Sequence, residues 1–323
     1  MANGLVGRIE LRDRPAVHQA RSWARSDPAV VSASMAGTPT SRAVGAQLHR
    51  HGTVLMPGVW DPLSARIAQL AGFSTVFVSG YCVAGTLLGL PDTGALTQTE
   101  MVEAARRIRA ATPELTLVVD ADTGYGNVSN VARTVHLWEA AGADGLFLED
   151  QTWPKRCGHM AGKEVVPRDE WLAKLRAALA TRSTLHITAR TDARSPLGIE
   201  EAIERGRMAA DLGVDAVFVE APESIGELEQ IAVALPDVTR VANMVETGRT
   251  PLLTPEELHD LGFDLVVSPL SLLFSGVRAM IDASAALAHH GSLRDQLSGL
   301  VPFEQFTDLV GLPAQQEFEA DYG

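Results

Sequence analysis

Residues 141–150 read AGADGLFLED: the small-residue end of a helical stretch, a glycine, a short apolar run and then two carboxylates. A glycine here takes the left-handed conformation that stops a helix. The run that follows has the length and apolarity of a strand buried on both faces. The phrase recurs: AGF at Gly72, LGVD at Gly213 and LGFD at Gly262 each close a helical stretch and precede a β-rich run.

Eight such runs, VLMPG, TVFVSG, LTLVVDAD, GLFLED, LHITARTD, AVFVEAP, TRVANM and LVVSPL, begin at Val54, Thr75, Leu115, Gly145, Leu185, Ala216, Thr239 and Leu265. Amphipathic stretches separate them, including TEMVEAARRIRAA after Thr97 and IEEAIERGRMAADLG ending at Gly213. Eight strand–helix units specify an α/β chain folded as a (β/α)8 TIM barrel. A doubly wound sheet is the rival, but it would carry a glycine-rich fingerprint after its first strand. VLMPGVWDPLSA has no GxGxxG.

The 323 residues divide into an N-terminal extension, 1–50, and a barrel domain with a C-terminal helical region, 51–323. Residues 26–41 read as a linker and residues 42–52 as a short helix stopped by Gly52. With 46% hydrophobic and 21% charged residues the composition is that of a soluble globular protein. A net charge of −13 argues against nucleic acid or an anionic membrane as partner. No run of about 18 apolar residues is evident, and the N-terminus lacks the apolar core of a signal peptide. Two cysteines suit a reducing cytoplasm.

In such barrels chemistry collects at the C-terminal ends of the strands. Ser79, Gly80 and Tyr81 end the second strand here, Asp120 and Asp122 the third, Glu149 and Asp150 the fourth, and Arg190 and Asp192 the fifth. Glu220 ends the sixth and Asn243 the seventh, with Glu246 just beyond; Asp92 lies in the loop after the second. A lone carboxylate after a strand is as readily the N-cap of the next helix. Converging carboxylates repel unless a cation or a protonation shift compensates, and all-oxygen ligands favour Mg²⁺, with Mn²⁺ the alternative. Arg190 can clamp a substrate carboxylate, or it can pair with Asp192 or another barrel carboxylate.

Residues 150–167, DQTWPKRCGHMAGKEVVP, break the rhythm. Trp153, Pro154 and two glycines exclude regular structure, and Cys157 stands among Lys155, Arg156 and His159. Neighbouring cations lower a thiol's pKa, so the stretch suggests a cysteine tuned for reaction. An unreactive loop thiol is the plainer reading. Cys82 reads as packing.

MPGVWDPLSA, VSGY, LGLPD, VDADTGYGN, LEDQTWPKRCGHMAGKEVVP, ARTDAR, FVEAP and NMVETGRTPLLTPEEL resemble the isocitrate lyase/phosphoenolpyruvate mutase superfamily, from about His51 to the C-terminus. KRCGH marks its carbon–carbon lyase branch. FEQFTDLV and WPKRCGHMAGK resemble the group formed by petal death protein and the 2,3-dimethylmalate lyases. The resemblance implies Mg²⁺ dependence, a mobile lid that carries Cys157 with Gly158 and Gly162 as its hinges, and a homotetramer of paired dimers exchanging the eighth barrel helix (residues 272–291). It also implies a site of stated roles. Asp120, Asp122, Glu149 and Asp92 form the metal site; Ser79 and Gly80 hold the substrate's α-carboxylate. Tyr81, Arg190, Glu220, Asn243, Gly158 and His159 surround the substrate, and Cys157 is the catalytic thiol, with Arg190 and Glu149 in the chemistry. The methylisocitrate lyases read YLSGG where this chain has Phe77 for the tyrosine and Tyr81 for the second glycine; the bulky phenol narrows the pocket toward a smaller malate-type substrate. The expected reaction is cleavage of a 2-alkylmalate to a 2-oxo acid and a carboxylate. Oxaloacetate acetylhydrolase, methylisocitrate lyase and a non-catalytic metabolite-binding barrel are the alternatives.

Overall fold

The computed structural model describes residues 43–158, 160 and 162–323; residues 1–42 of the extension, with its linker, and His159 and Ala161 lie outside them. Eight parallel strands close into a barrel in sequence order: β1 (Val54–Val59), β2 (Thr75–Val78), β3 (Thr116–Asp120), β4 (Gly145–Glu149), β5 (His186–Thr191), β6 (Ala216–Val219), β7 (Thr239–Asn243) and β8 (Leu265–Ser268). A short helix, α1 (Val44–His51), precedes them. Around them run α2 (Pro62–Leu70), α3 (Gln98–Ala111), α4 (Val128–Ala141), α5 (Arg168–Thr181), α6 (Ile199–Asp211), α7 (Ile225–Ala234), α8 (Pro255–Asp260) and α9 (Ser271–His290). Two further helices, α10 (Phe303–Leu309) and α11 (Leu312–Tyr322), end the chain.

Strand side chains alternate between two cores, as a period of two requires. Met56, Phe77, Val118, Phe147, Phe218, Val241, Leu265 and Val267 fill the barrel interior. Their neighbours, such as Val76, Leu117, Leu146, Leu148, Val217 and Val266, pack outward under the helices with Trp138 and Trp171. The alternation aims the site: one inward step beyond Phe77, Val118, Phe147, Phe218 and Val241 stand Ser79, Asp120, Glu149, Glu220 and Asn243.

The recurring phrase of the sequence builds the opposite end. Gly72, Gly142, Gly213 and Gly262 all have positive φ, between 84° and 94°. Two residues on, in three of the four, an aspartate binds an arginine and the start of a strand. Asp144 pairs with Arg109 at 2.6 Å and accepts from the Leu117 amide. Asp215 pairs with Arg182 and accepts from the Ile187 amide; Asp264 lies 3.6 Å from Arg240 and accepts from its amide. Helix α1 closes this floor: Val44 enters the inner core, and Gln47 donates to Thr116 Oγ1 while accepting from Ser74 Oγ.

Helix α9 behaves differently from the other barrel helices. Of its twenty residues only Leu273 and Ala286 are buried, and Phe274, Val277, Met280 and Leu287 are exposed. By length and composition alone it is apolar enough to cross a membrane, a run that the sequence reading does not expect. It carries an Arg278–Asp282 ion pair on its exposed surface. Helices α10 and α11 also bury no residue.

Candidate active site

The mouth of the barrel holds a cavity lined by Ser79, Tyr81, Asp92, Asp120, Lys155, Cys157, Gly158, Arg190, Glu220 and Asn243 above a floor of Phe77, Phe147 and Phe218. Phe147 stacks on both other rings, at centroid distances of 4.9 and 5.6 Å. The Arg190 guanidinium lies 5.4 Å from the Phe218 ring. Val245, Val267, Pro269 and Leu270 form an apolar wall. Tyr81 lines the same cavity and meets Phe274 of α9 edge-on at 6.3 Å. Burial, then the neighbouring Cys157 and Asp92, push its phenol up, so it stays a neutral donor.

Each residue expected from the sequence and described by the structure lies at this mouth. Gly80 needs no side chain because Asp120 fills the space: a Cβ there would lie 2.9 Å from Asp120 Oδ2. Asp122 has φ 45° and donates its amide to Asp120 Oδ1, which fixes the two carboxylates relative to each other. Asn243 donates to both oxygens of Glu220, at 3.3 and 3.2 Å. Arg190 takes the alternative left open by its sequence: its Nε and Nη2 grip Asp192 at 2.9 and 3.1 Å. Glu149 and Glu220 each lie 3.4 Å from the same guanidinium. Glu246 accepts a hydrogen bond from Ser271 at the start of α9.

The irregular stretch folds over the mouth. Its neck is an antiparallel bridge between Gln151 and Val165. The Gln151 side chain also donates to the Arg156 carbonyl and accepts from the Arg156 amide. The Cys157 amide donates to the Asp92 carbonyl at 3.2 Å. Gly158 touches the site floor so closely that a Cβ would lie 2.5 Å from Glu220 Cδ and 2.8 Å from Arg190 Nη2. Close approach therefore requires glycine there; Gly162 has φ 76°, a conformation that favours glycine. Cys82 is fully buried, donates to the Pro269 carbonyl, and has its thiol pushed up by burial to about 12, which suits packing.

Lys155 is placed otherwise than its neighbourhood in sequence suggests. Its ammonium lies 2.6 Å from Asp92 and 2.8 Å from Asp122, inside the carboxylate cluster. The reason is charge: the buried carboxylates of Asp122, Asp120, Asp92 and Glu149 act on this point, and a cation there relieves their repulsion. Burial drives Asp122 up to about 6 even with Lys155 beside it, and Asp120 and Asp92 add to the rise. Burial likewise holds Glu149 well above the usual carboxylate range; Arg190 opposes this, while Asp192 and Asp120 reinforce it. Burial alone would lower Lys155, but Asp122, Asp120, Asp92 and Glu149 outweigh it and hold the ammonium well above its ordinary value.

These residues fit a hard divalent cation. Glu149 Oε1 is buried without a hydrogen-bond partner, and the donors are all oxygens. Among the described residues no three acidic, His or Cys side chains converge into a ready-made cage. Mg²⁺ keeps much of its water and takes one or two carboxylates. Asp120, Asp122, Asp92 and Glu149 are the residues that would hold it. The sequence reading passed over Lys155 as a member of this cluster, and Lys163 and the floor residues Phe147 and Phe218 altogether. A lysine on a lid opposite an excess of carboxylates was the available signal for the first.

The phosphoenolpyruvate phosphomutase family model matches residues 46–288. Petal death protein of Dianthus caryophyllus is 46% identical over 277 residues, 85% of this chain and 87% of its own. The crystal structure of a 2,3-dimethylmalate lyase, described as a PEP mutase/isocitrate lyase superfamily member, superposes with a TM-score of 0.81 at 33% identity, covering 86% of this chain and 93% of its own. Oxaloacetate acetylhydrolase with 3,3-difluorooxalacetate gives 0.82 at 35% identity, covering 88% and 98%. With the barrel, the acidic mouth and the cysteine lid in place, this likeness across most of the chain means that it belongs to the phosphoenolpyruvate mutase/isocitrate lyase superfamily of enzymes.

Proposed function

We propose that the protein cleaves a 2-alkylmalate to a 2-oxo acid and a carboxylate. The observation that carries this is the lid, which brings Cys157 into one cavity with Arg190, Glu220, Asn243 and the carboxylate cluster. The C2 hydroxyl of the substrate gives up its proton, the C2–O bond becomes a carbonyl, and the C2–C3 bond breaks with its electron pair left on C3. That pair is delocalised into the adjoining carboxylate, takes a proton from the Cys157 thiol and becomes the carboxylate product. The proton lost by the hydroxyl restores the thiol. A bound Mg²⁺ or Mn²⁺ supplies polarisation of the hydroxyl and carboxylate oxygens.

The residues divide the remaining work. Arg190 and Lys155 place positive charge beside a dianionic substrate, where the dry lid strengthens it. Ser79 and Gly80 face the α-carboxylate, and the phenyl floor with the Val245–Leu270 wall accepts alkyl groups. Phe77 and Tyr81 leave little room for a third carboxylate, which disfavours methylisocitrate. The exposed apolar face of α9 supports a homo-oligomer, a tetramer of paired dimers, in which that helix packs on a partner barrel. A cytoplasmic site of action accords with the unbridged cysteines.

Oxaloacetate hydrolysis to oxalate and acetate is the second reading, supported by the likeness to oxaloacetate acetylhydrolase. A panel of 2-alkylmalates, methylisocitrate and oxaloacetate, with Mg²⁺ or EDTA, separates the two. Metal-dependent 2-oxo acid from an alkylmalate supports the lyase. Oxalate and acetate from oxaloacetate, with no alkylmalate cleaved, would replace it with the hydrolase, and no turnover of any member would favour a binding barrel.

A further inference from the structure

Lys163, at the C-terminal stem of the lid, takes no part in the proposed chemistry and yet is one of the most buried cations in the protein. Its side chain is 0% exposed, as is that of Asp192, and its ammonium lies 2.8 Å from Asp192 Oδ1. The same ammonium donates to the carbonyl of Gly158, next to Cys157. Asp192 in turn holds Arg190 through both carboxylate oxygens. Burial opposes ionisation of Asp192, but Arg190 and Lys163 outweigh it and keep the group charged. The Asp192 amide is itself anchored to Asp150, which Arg205 and Thr191 fix from behind.

One cation therefore joins the lid tip to the residue that orients the substrate-facing arginine. A buried ammonium without its acceptors is strongly disfavoured. When the lid lifts, Gly158 leaves and one of these acceptors is lost. We infer that Lys163 is a positioning residue, a latch that sets the closed state of the Cys157 lid through the Gly158 carbonyl and couples closure to the orientation of Arg190 through Asp192. The inference rests on the lid reading above, but its test needs no turnover.

The protein's two cysteines supply the test. Cys82 is fully buried and Cys157 only partly so. Iodoacetamide labelling of the full chain, located by mass spectrometry, reads opening of the lid separately from unfolding. A lid open for about 0.1–10% of the time labels at that fraction of the open rate. Lys163→Met is expected to raise Cys157 labelling about tenfold or more while Cys82 stays unlabelled below the melting transition. If an alkylmalate is cleaved, kcat should fall more than KM rises. Unchanged Cys157 labelling overturns the latch. So does parallel labelling of both thiols, which would make Lys163 a general structural residue. Should Lys163→Met fail to fold, Asp192→Asn carries the test, with the same selective labelling expected. Alkylmalate turnover by the wild-type protein with unchanged labelling in the variant would sink the latch alone; selective labelling in the variant with no turnover by the wild-type protein would sink the lyase reading alone.

Discussion

The two ends of the barrel handle charge in opposite ways. At the floor, carboxylates meet arginines one to one: Asp144 with Arg109, Asp215 with Arg182, Asp264 with Arg240, each aspartate also taking a strand amide. At the mouth, Asp92, Asp120, Asp122 and Glu149 crowd around Lys155, and burial leaves Asp122 and Glu149 reluctant to ionise. The floor is compensated and serves stability. The mouth carries an excess of negative charge, the arrangement expected where a cation and a charged transition state are to be received.

The sharpest contrast should come from Cys157→Ser at the mouth. Loss of a positioned acid costs about 10²–10⁴-fold in rate. Steady-state cleavage should fall by that range while the melting temperature holds, and wild-type activity in the mutant would break the assignment of the thiol. Next in size is Asp122→Asn. It should lower metal-dependent turnover by about 10²-fold, on the order of 3 kcal/mol in the barrier, and leave stability equal or improved because it removes buried repulsion. A clear drop in melting temperature would show that the mouth's charge serves the fold after all.

The floor should answer in the opposite sense. Asp215→Ala leaves the Ile187 amide and Arg182 without their acceptor, at a cost of about 1–3 kcal/mol. Denaturant unfolding should register that loss with kcat unaltered. The smallest effect concerns pH. Burial, with Arg182 adding and Asp215 opposing, lowers His186 to about 4, below its ordinary 6.5. The unfolded chain therefore takes up this proton first as pH falls, so the contribution of His186 is whole above pH 6.5 and is lost toward pH 4. His186→Gln should flatten that acid loss by a few degrees of melting temperature, about 2–4 °C per kcal/mol. An unchanged pH slope would place the acid sensitivity elsewhere.

Much of this architecture is legible in the chain because it is periodic. The strand starts at Val54, Thr75, Gly145, Ala216, Thr239 and Leu265 coincide with those of the structure, and β3 and β5 begin one residue after Leu115 and Leu185. Gly142 and its counterparts fix the helix ends through backbone sterics that any reader of sequence can apply. The strand-end residues follow from the inward alternation. The lid interior was not legible. Whether Lys155 serves the thiol or the carboxylates, and whether Arg190 faces Asp192, depends on how an irregular segment packs across the barrel. No local period encodes that packing. Lys163 was hidden for the same reason: its partners Gly158 and Asp192 lie on different elements. The exposure of α9 shows only as apolarity in the sequence, which does not say what covers it.

The most direct test of the central claim, a dry mouth in which Cys157 delivers a proton to C3, is cleavage of 2,3-dimethylmalate in D₂O with product analysis by NMR. The account predicts pyruvate together with propionate bearing one deuterium of a single configuration, and loss of this product in Cys157→Ser. Propionate deuterated without stereochemical preference, or formed equally well by the mutant, would mean that solvent and not the lid supplies the proton.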